Sequence, residues 1–93
     1  MIARQADVLQ VTVPMTIAGA SKLLAAGCAE IKAPAQMIDL TAVAEADSSA
    51  LAVMLGWQRA AASSQASVQF VNVPAGIRAL ADLYGVDDLL PLA

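Results

Sequence analysis

Apolar and polar residues alternate through Val8-Leu9-Gln10-Val11-Thr12-Val13, and this β-branched run predicts a strand closed by Pro14. Lys22 to Ile31 reads as a helix with Leu23, Leu24 and Ile31 as its larger apolar contacts, capped by Thr16 or Ser21. Gly27 sits awkwardly inside it, since glycine costs a helix interior about 1 kcal/mol relative to alanine. Pro34 ends that pattern, and Met37-Ile38-Asp39-Leu40 has the continuous apolar character of a buried parallel strand. Asp47 then opens the longest helix, Ser48 to Ser63, as an N-cap whose carboxylate accepts the free N–H groups of Ser49 or Ala50. Leu51, Met54, Leu55, Ala61 and Ala62 share one side of it, assigned to the core, with Gln58 at the rim. Ser67 to Val71 predicts a third strand. After Pro74, the residues Ile77, Leu80, Ala81 and Tyr84 follow helical spacing up to Gly85 as the stop, and Asp87 caps a last turn, Asp88 to Leu90.

The element order is therefore β-α-β-α-β-α, which implies a mostly parallel sheet with right-handed crossovers and helices on one side. Ninety-three residues give room for one core, so residues 1–93 are read as a single domain. The chain is 59% hydrophobic, yet alanine supplies 22 of those residues and the aromatics are only Trp57, Phe70 and Tyr84. Small side chains bury little area each, so the core must be thin, and the surplus of apolar residues suggests that some face a partner.

Charge and chemistry remove several classes. Five basic against eight acidic residues leave a net charge of −3, which lacks the electrostatic footprint of a nucleic-acid binder. No stretch approaches about 20 consecutive apolar residues, so no direct membrane insertion is expected, and no export signal is readable at the N-terminus. With a lone Cys28 and no disulfide pair, a cytoplasmic location fits best. There is no histidine, so Ser48 and Ser49 have no imidazole base. The glycines are scattered and build no phosphate loop. Asp39, Glu45 and Asp47 read as a strand end, a solvated residue and a helix cap. No catalytic residues, metal ligands or cofactor are expected.

The segment Asp47-Ser48-Ser49-Ala50-Leu51, following Ile38-Asp39-Leu40-Thr41, resembles the signature of STAS domains, the family that includes anti-sigma-factor antagonists. That signature sets an Asp-Ser-Ser/Thr-Gly-Leu turn after an apolar strand, at the start of a long helix; here Ala50 replaces the usual glycine. Downstream, Phe70-Val71-Asn72-Val73-Pro74, Ala79 to Val86 and Leu89-Leu90-Pro91 resemble the branch that serves Mla-type phospholipid-transport ABC complexes. The resemblance implies a small STAS-like α/β domain, a mostly parallel mixed β-sheet with helices mainly on one face. It also implies a non-catalytic subunit that binds and supports the ATPase of such a transporter, peripheral to the inner membrane through the complex. The alternative it implies is an antagonist whose partner is an anti-sigma factor kinase and whose Ser49 is phosphorylated. Ser48 matches the hydroxyl residue of the Mla branch and Ser49 the phosphorylated serine of the antagonists. Both are also ordinary helix-capping residues.

Independently of the resemblance, Ser49, Val53, Gly56, Trp57 and Ala60 form an uncharged stripe on the long helix, carrying the only tryptophan. Tryptophan is enriched at interface centres, so Asp47, Ser48, Ser49, Val53 and Trp57, extended by Tyr84, form the expected partner-binding surface. On that reading Trp57→Ala weakens capture of the ATPase and leaves the fold intact. Such an exposed stripe also permits a homodimer in isolation.

Overall fold

The computed structural model describes residues 1–32 and 34–93. One sheet runs in spatial order β1 (Ile2–Gln5), β2 (Val8–Val11), β3 (Ala35–Asp39), β4 (Ser67–Val71). β2, β3 and β4 are parallel, and β1 pairs antiparallel with β2. The helices are α1 (Ala20–Glu30), α2 (Ser49–Ser63) and α3 (Ala75–Leu83), followed by a 3₁₀ turn at Asp87–Leu89. Strand residues alternate as a one-sided sheet requires. Leu9, Val11, Ile38, Val68 and Phe70 are buried in the core, while Gln10, Met37, Asp39 and Gln69 on the alternate positions are at least partly exposed. The mostly parallel sheet with one helical layer is the architecture expected from the sequence.

β1 is the element that hydrophobic patterning does not announce. Ile2 is its one large apolar residue, and the turn into β2 is Ala6-Asp7, with Ala6 at φ 56°. Two-residue hairpin loops usually signal this left-handed geometry with asparagine or glycine, and neither is present. At the other edge, Phe70 N–H donates to Pro91 O at 3.0 Å and Ala93 N–H to Phe70 O at 2.9 Å, so the C-terminal residues cover β4.

Helix ends follow local chemistry. Gly85, at φ 68°, stops α3, and Val86 N–H reaches back to Ala81 O at 2.9 Å. α2 ends the same way without glycine: Gln65 adopts φ 55° and Ala66 N–H donates to Ala61 O at 2.8 Å.

α2 is buried on two flanks, and this corrects the expected docking stripe. Trp57 is 0% exposed and Val53 3%, so neither lies on the surface. The stripe of small residues around them is where α1 packs. The Trp57 indole lies 6.5 Å from the Phe70 ring at 23° between planes, and its Nε1–H donates to Leu24 O at 3.1 Å. A Cβ placed on Gly27 would stand 2.1 Å from Trp57 Nε1, which is why α1 tolerates glycine in mid-helix. The uncharged ridge thus serves the protein's own interior. On the side assigned to the core, Leu51, Met54 and Ala61 are buried, whereas Leu55 is half-buried and Ala62 exposed. Gln58 is half-buried, with its Oε1 enclosed and without a donor.

Candidate functional site

Leu40 to Ser48 carries the chain from β3 to α2 and delivers Asp47 to a fixed position. Met15 N–H donates to Glu45 O at 2.9 Å and Asp47 N–H to Met15 O at 3.2 Å, so the segment after β2 holds this crossover on both sides. The Asp47 carboxylate then gathers three donors. Its Oδ1 accepts Ser49 N–H at 2.9 Å and the Ser49 hydroxyl, and its Oδ2 accepts Ile17 N–H at 3.0 Å. Asp47 therefore caps α2, as the sequence predicts, and also pins the turn ahead of α1.

These donors favour the ionised form, with the Ser49 hydroxyl contributing most, then the Ile17 and Ser49 amides, and they hold the Asp47 carboxyl below its ordinary value of 3.8. Asp39 is lowered too, first by the Thr41 hydroxyl (2.6 Å) and Thr41 N–H (2.9 Å), and further by Asn72 Nδ2 at 3.2 Å. A carboxyl with a depressed folded-state pKa adds stability above its unfolded value and loses that stability as pH falls through the folded value. Asp47→Asn should therefore flatten the fall in denaturation midpoint below about pH 4, leaving a remainder due to Asp39, when urea curves are recorded from about pH 6 to about pH 2. An unchanged acid limb would contradict this role.

The sequence-predicted residues separate into two groups. Ser48 is exposed, Ser49 half-buried beside Asp47, and Tyr84 58% exposed, while Val53 and Trp57 are inside. Ser48 and Tyr84 meet across a groove of about 280 Å³ completed by Leu51, Ala52, Leu55 and Val86. A second open depression of about 410 Å³, lined by Leu55, Gln58, Arg59, Ala62 and Leu89, shares Leu55 with it. This pair of depressions between α2 and the α3 end is the surface that sequence reasoning missed. Its signal was the line Ser48, Ala52, Leu55, Arg59, Ala62, which contains a charge and so looks less like an interface than the uncharged ridge. Ile17 was also missed: it is 76% exposed, and its amide is bonded to the Asp47 carboxylate. Ala50, in place of the signature glycine, is 0% exposed, so its methyl faces the core rather than an approaching partner.

A mixed four-stranded sheet backed by three helices, with a hydroxyl-bearing turn opening the central helix, defines a STAS-type α/β domain. The fold is shared with the crystal structure of a Thermotoga maritima protein described as a candidate anti-sigma factor antagonist. The two are 17% identical, with a TM-score of 0.75 over 99% of this chain and 83% of that one. Residues 1–91 match the family model described as MlaB, STAS domain, and the chain belongs to that family. No curated protein matches the sequence. STAS domains are in general regulatory modules that bind partner proteins. No helix among the described residues is long and apolar enough to cross a membrane.

Proposed function

We propose that this chain is the accessory STAS subunit that binds the ATPase of an Mla-type phospholipid ABC transporter and supports its assembly or activity, without turnover of its own. The observation that carries the reading is the open apolar groove joining Ser48 to Tyr84. It brings the hydroxyl residue of the Mla branch together with Tyr84, whose surrounding segment also resembles that branch. Docking there needs no repacking, because Ala52 is already exposed and Leu55 half-exposed.

A second reading is favoured by one observation. The Ser49 hydroxyl, half-exposed at the start of α2, is bonded to the Asp47 carboxylate. A phosphoryl group on Ser49 would bring about −1.5 to −2 charges beside Asp47 and break that bond, while the positive end of the α2 dipole partly offsets the repulsion. A protein so modified would dock differently, as an antagonist released by its kinase would.

One set of measurements separates them. Under the transporter reading the chain captures the cognate ATPase, and Ala52→Glu lowers affinity about tenfold or more by forcing an unpaired carboxylate into the contact. An exposed helical alanine tolerates this change with little loss of fold stability. Full capture by Ala52→Glu would overturn the groove as the contact. A kinase-dependent phosphate on Ser49 by intact mass, with no ATPase capture, would favour the second reading instead.

A further inference from the structure

We infer that the partner enters the groove as a single amphipathic α-helix, laid along α2 and presenting a carboxylate to Arg59; this rests on the ATPase-docking reading above. Ser48, Ala52, Leu55, Arg59 and Ala62 recur at intervals of four and three, so they run in one line along α2. From Ser48 to Ala62 that line is about 21 Å long at 1.5 Å per residue. Tyr84 and Val86 face the Ser48–Leu55 half of this line and Leu89 faces the Leu55–Ala62 half, so two open depressions sharing Leu55 follow it. Alanines at two of the five positions allow close approach of a second helix axis. An extended peptide would gain nothing equivalent, because the backbone groups of α2 are already bonded within the helix and offer no ladder.

Charge selects the occupant's chemistry. Arg59 is exposed and has no ion-pair or hydrogen-bond partner among the described residues, whereas Arg4 engages Glu30 and Arg78 the Ala93 carbonyl. Covering an unpaired guanidinium is unfavourable, so an occupant that seals the groove must bring an acid to it. Asp87 and Asp88, both exposed beside Leu89, set the opposite demand at that end and match basic residues on the occupant's flank. A second copy would set its own Asp87 and Asp88 against Arg59, since a two-fold contact pairs unlike residues, and it is the competing occupant that the crosslinks below distinguish.

The test places a photoreactive benzophenone on single cysteines, Ser48→Cys and Ala62→Cys, in a Cys28→Ser background, and crosslinks each to the cognate ATPase. The two labels should mark positions about 14 residues apart in one helical segment of the ATPase, since both chains then rise 1.5 Å per residue. Arg59→Glu should cut both adducts about tenfold through loss of a close charge pair, while Lys22→Glu on α1 leaves them unchanged. Marks about six residues apart would show an extended occupant, and marks in unconnected segments a composite surface. Either result overturns the inference while leaving ATPase docking intact, as does an adduct between two copies of this chain. Failure to capture the ATPase at all, with unlabelled wild-type chain, removes the docking reading and the inference together.

Discussion

Trp57→Ala should destabilise the isolated domain by about 3–5 kcal/mol, the cost of truncating a fully buried large aromatic. The indole is 0% exposed, stacks near Phe70 and donates its Nε1–H to the Leu24 carbonyl of α1. Truncation leaves a cavity between α1 and the sheet and removes the hydrogen bond that ties the indole to α1. A domain of this length has on the order of 5–14 kcal/mol of stability to lose, so the variant should unfold at a clearly lower guanidinium midpoint. Any loss of partner capture should track the unfolded fraction. This reverses the outcome that a surface tryptophan would give, namely weakened docking on an intact fold. A midpoint shift worth less than about 0.5 kcal/mol, the range of ordinary surface substitutions, would contradict the burial.

Gly27→Ala should also destabilise, against helix propensity. Alanine gains about 1 kcal/mol in a helix interior. The new methyl, however, would stand 2.1 Å from Trp57 Nε1, 2.3 Å from Cε2 and 2.7 Å from Cζ2. The indole cannot turn aside, because Phe70 and the bond to Leu24 fix it. Either the ring or the whole of α1 must move, and overpacking of this kind costs about 1–3 kcal/mol or more. The net expectation is a loss of at least about 1 kcal/mol with the clash at the upper part of that range. The sign should change in the Trp57→Ala background, where the methyl fills vacated space and only the propensity gain remains. A double-mutant cycle by denaturant unfolding reads this directly. Additive effects would mean that Gly27 and Trp57 do not touch.

The outcome at these two residues explains how much could be read from the sequence. Regular elements with strong periodicity were legible: β4 and α2 fall where the pattern puts them, and Gly85 stops α3 through its positive φ. Asp47 was legible as a cap because N-terminal amides need an acceptor wherever the helix lies. β1 was hidden by its single apolar residue and a turn without glycine. The candidate site was half legible. Ser48 and Tyr84 are open and share a groove, but the pattern places Val53 and Trp57 outside, whereas α2 has two buried flanks and both lie inside. Periodicity identifies a flank that avoids water and does not say whether another helix or another molecule covers it. The unexpected glycine in α1 and the lone tryptophan in α2 were two halves of one contact, and size complementarity between them was the available clue.

Because α1 and the sheet clamp α2 on two sides, the remaining strip of that helix is held in place before any encounter. An approaching molecule meets a shape that is already set, so association should proceed at the ordinary 10⁵–10⁷ M⁻¹s⁻¹ of rigid partners, about as fast as orientation allows. Substitutions along the strip then speak mainly through how long the complex survives.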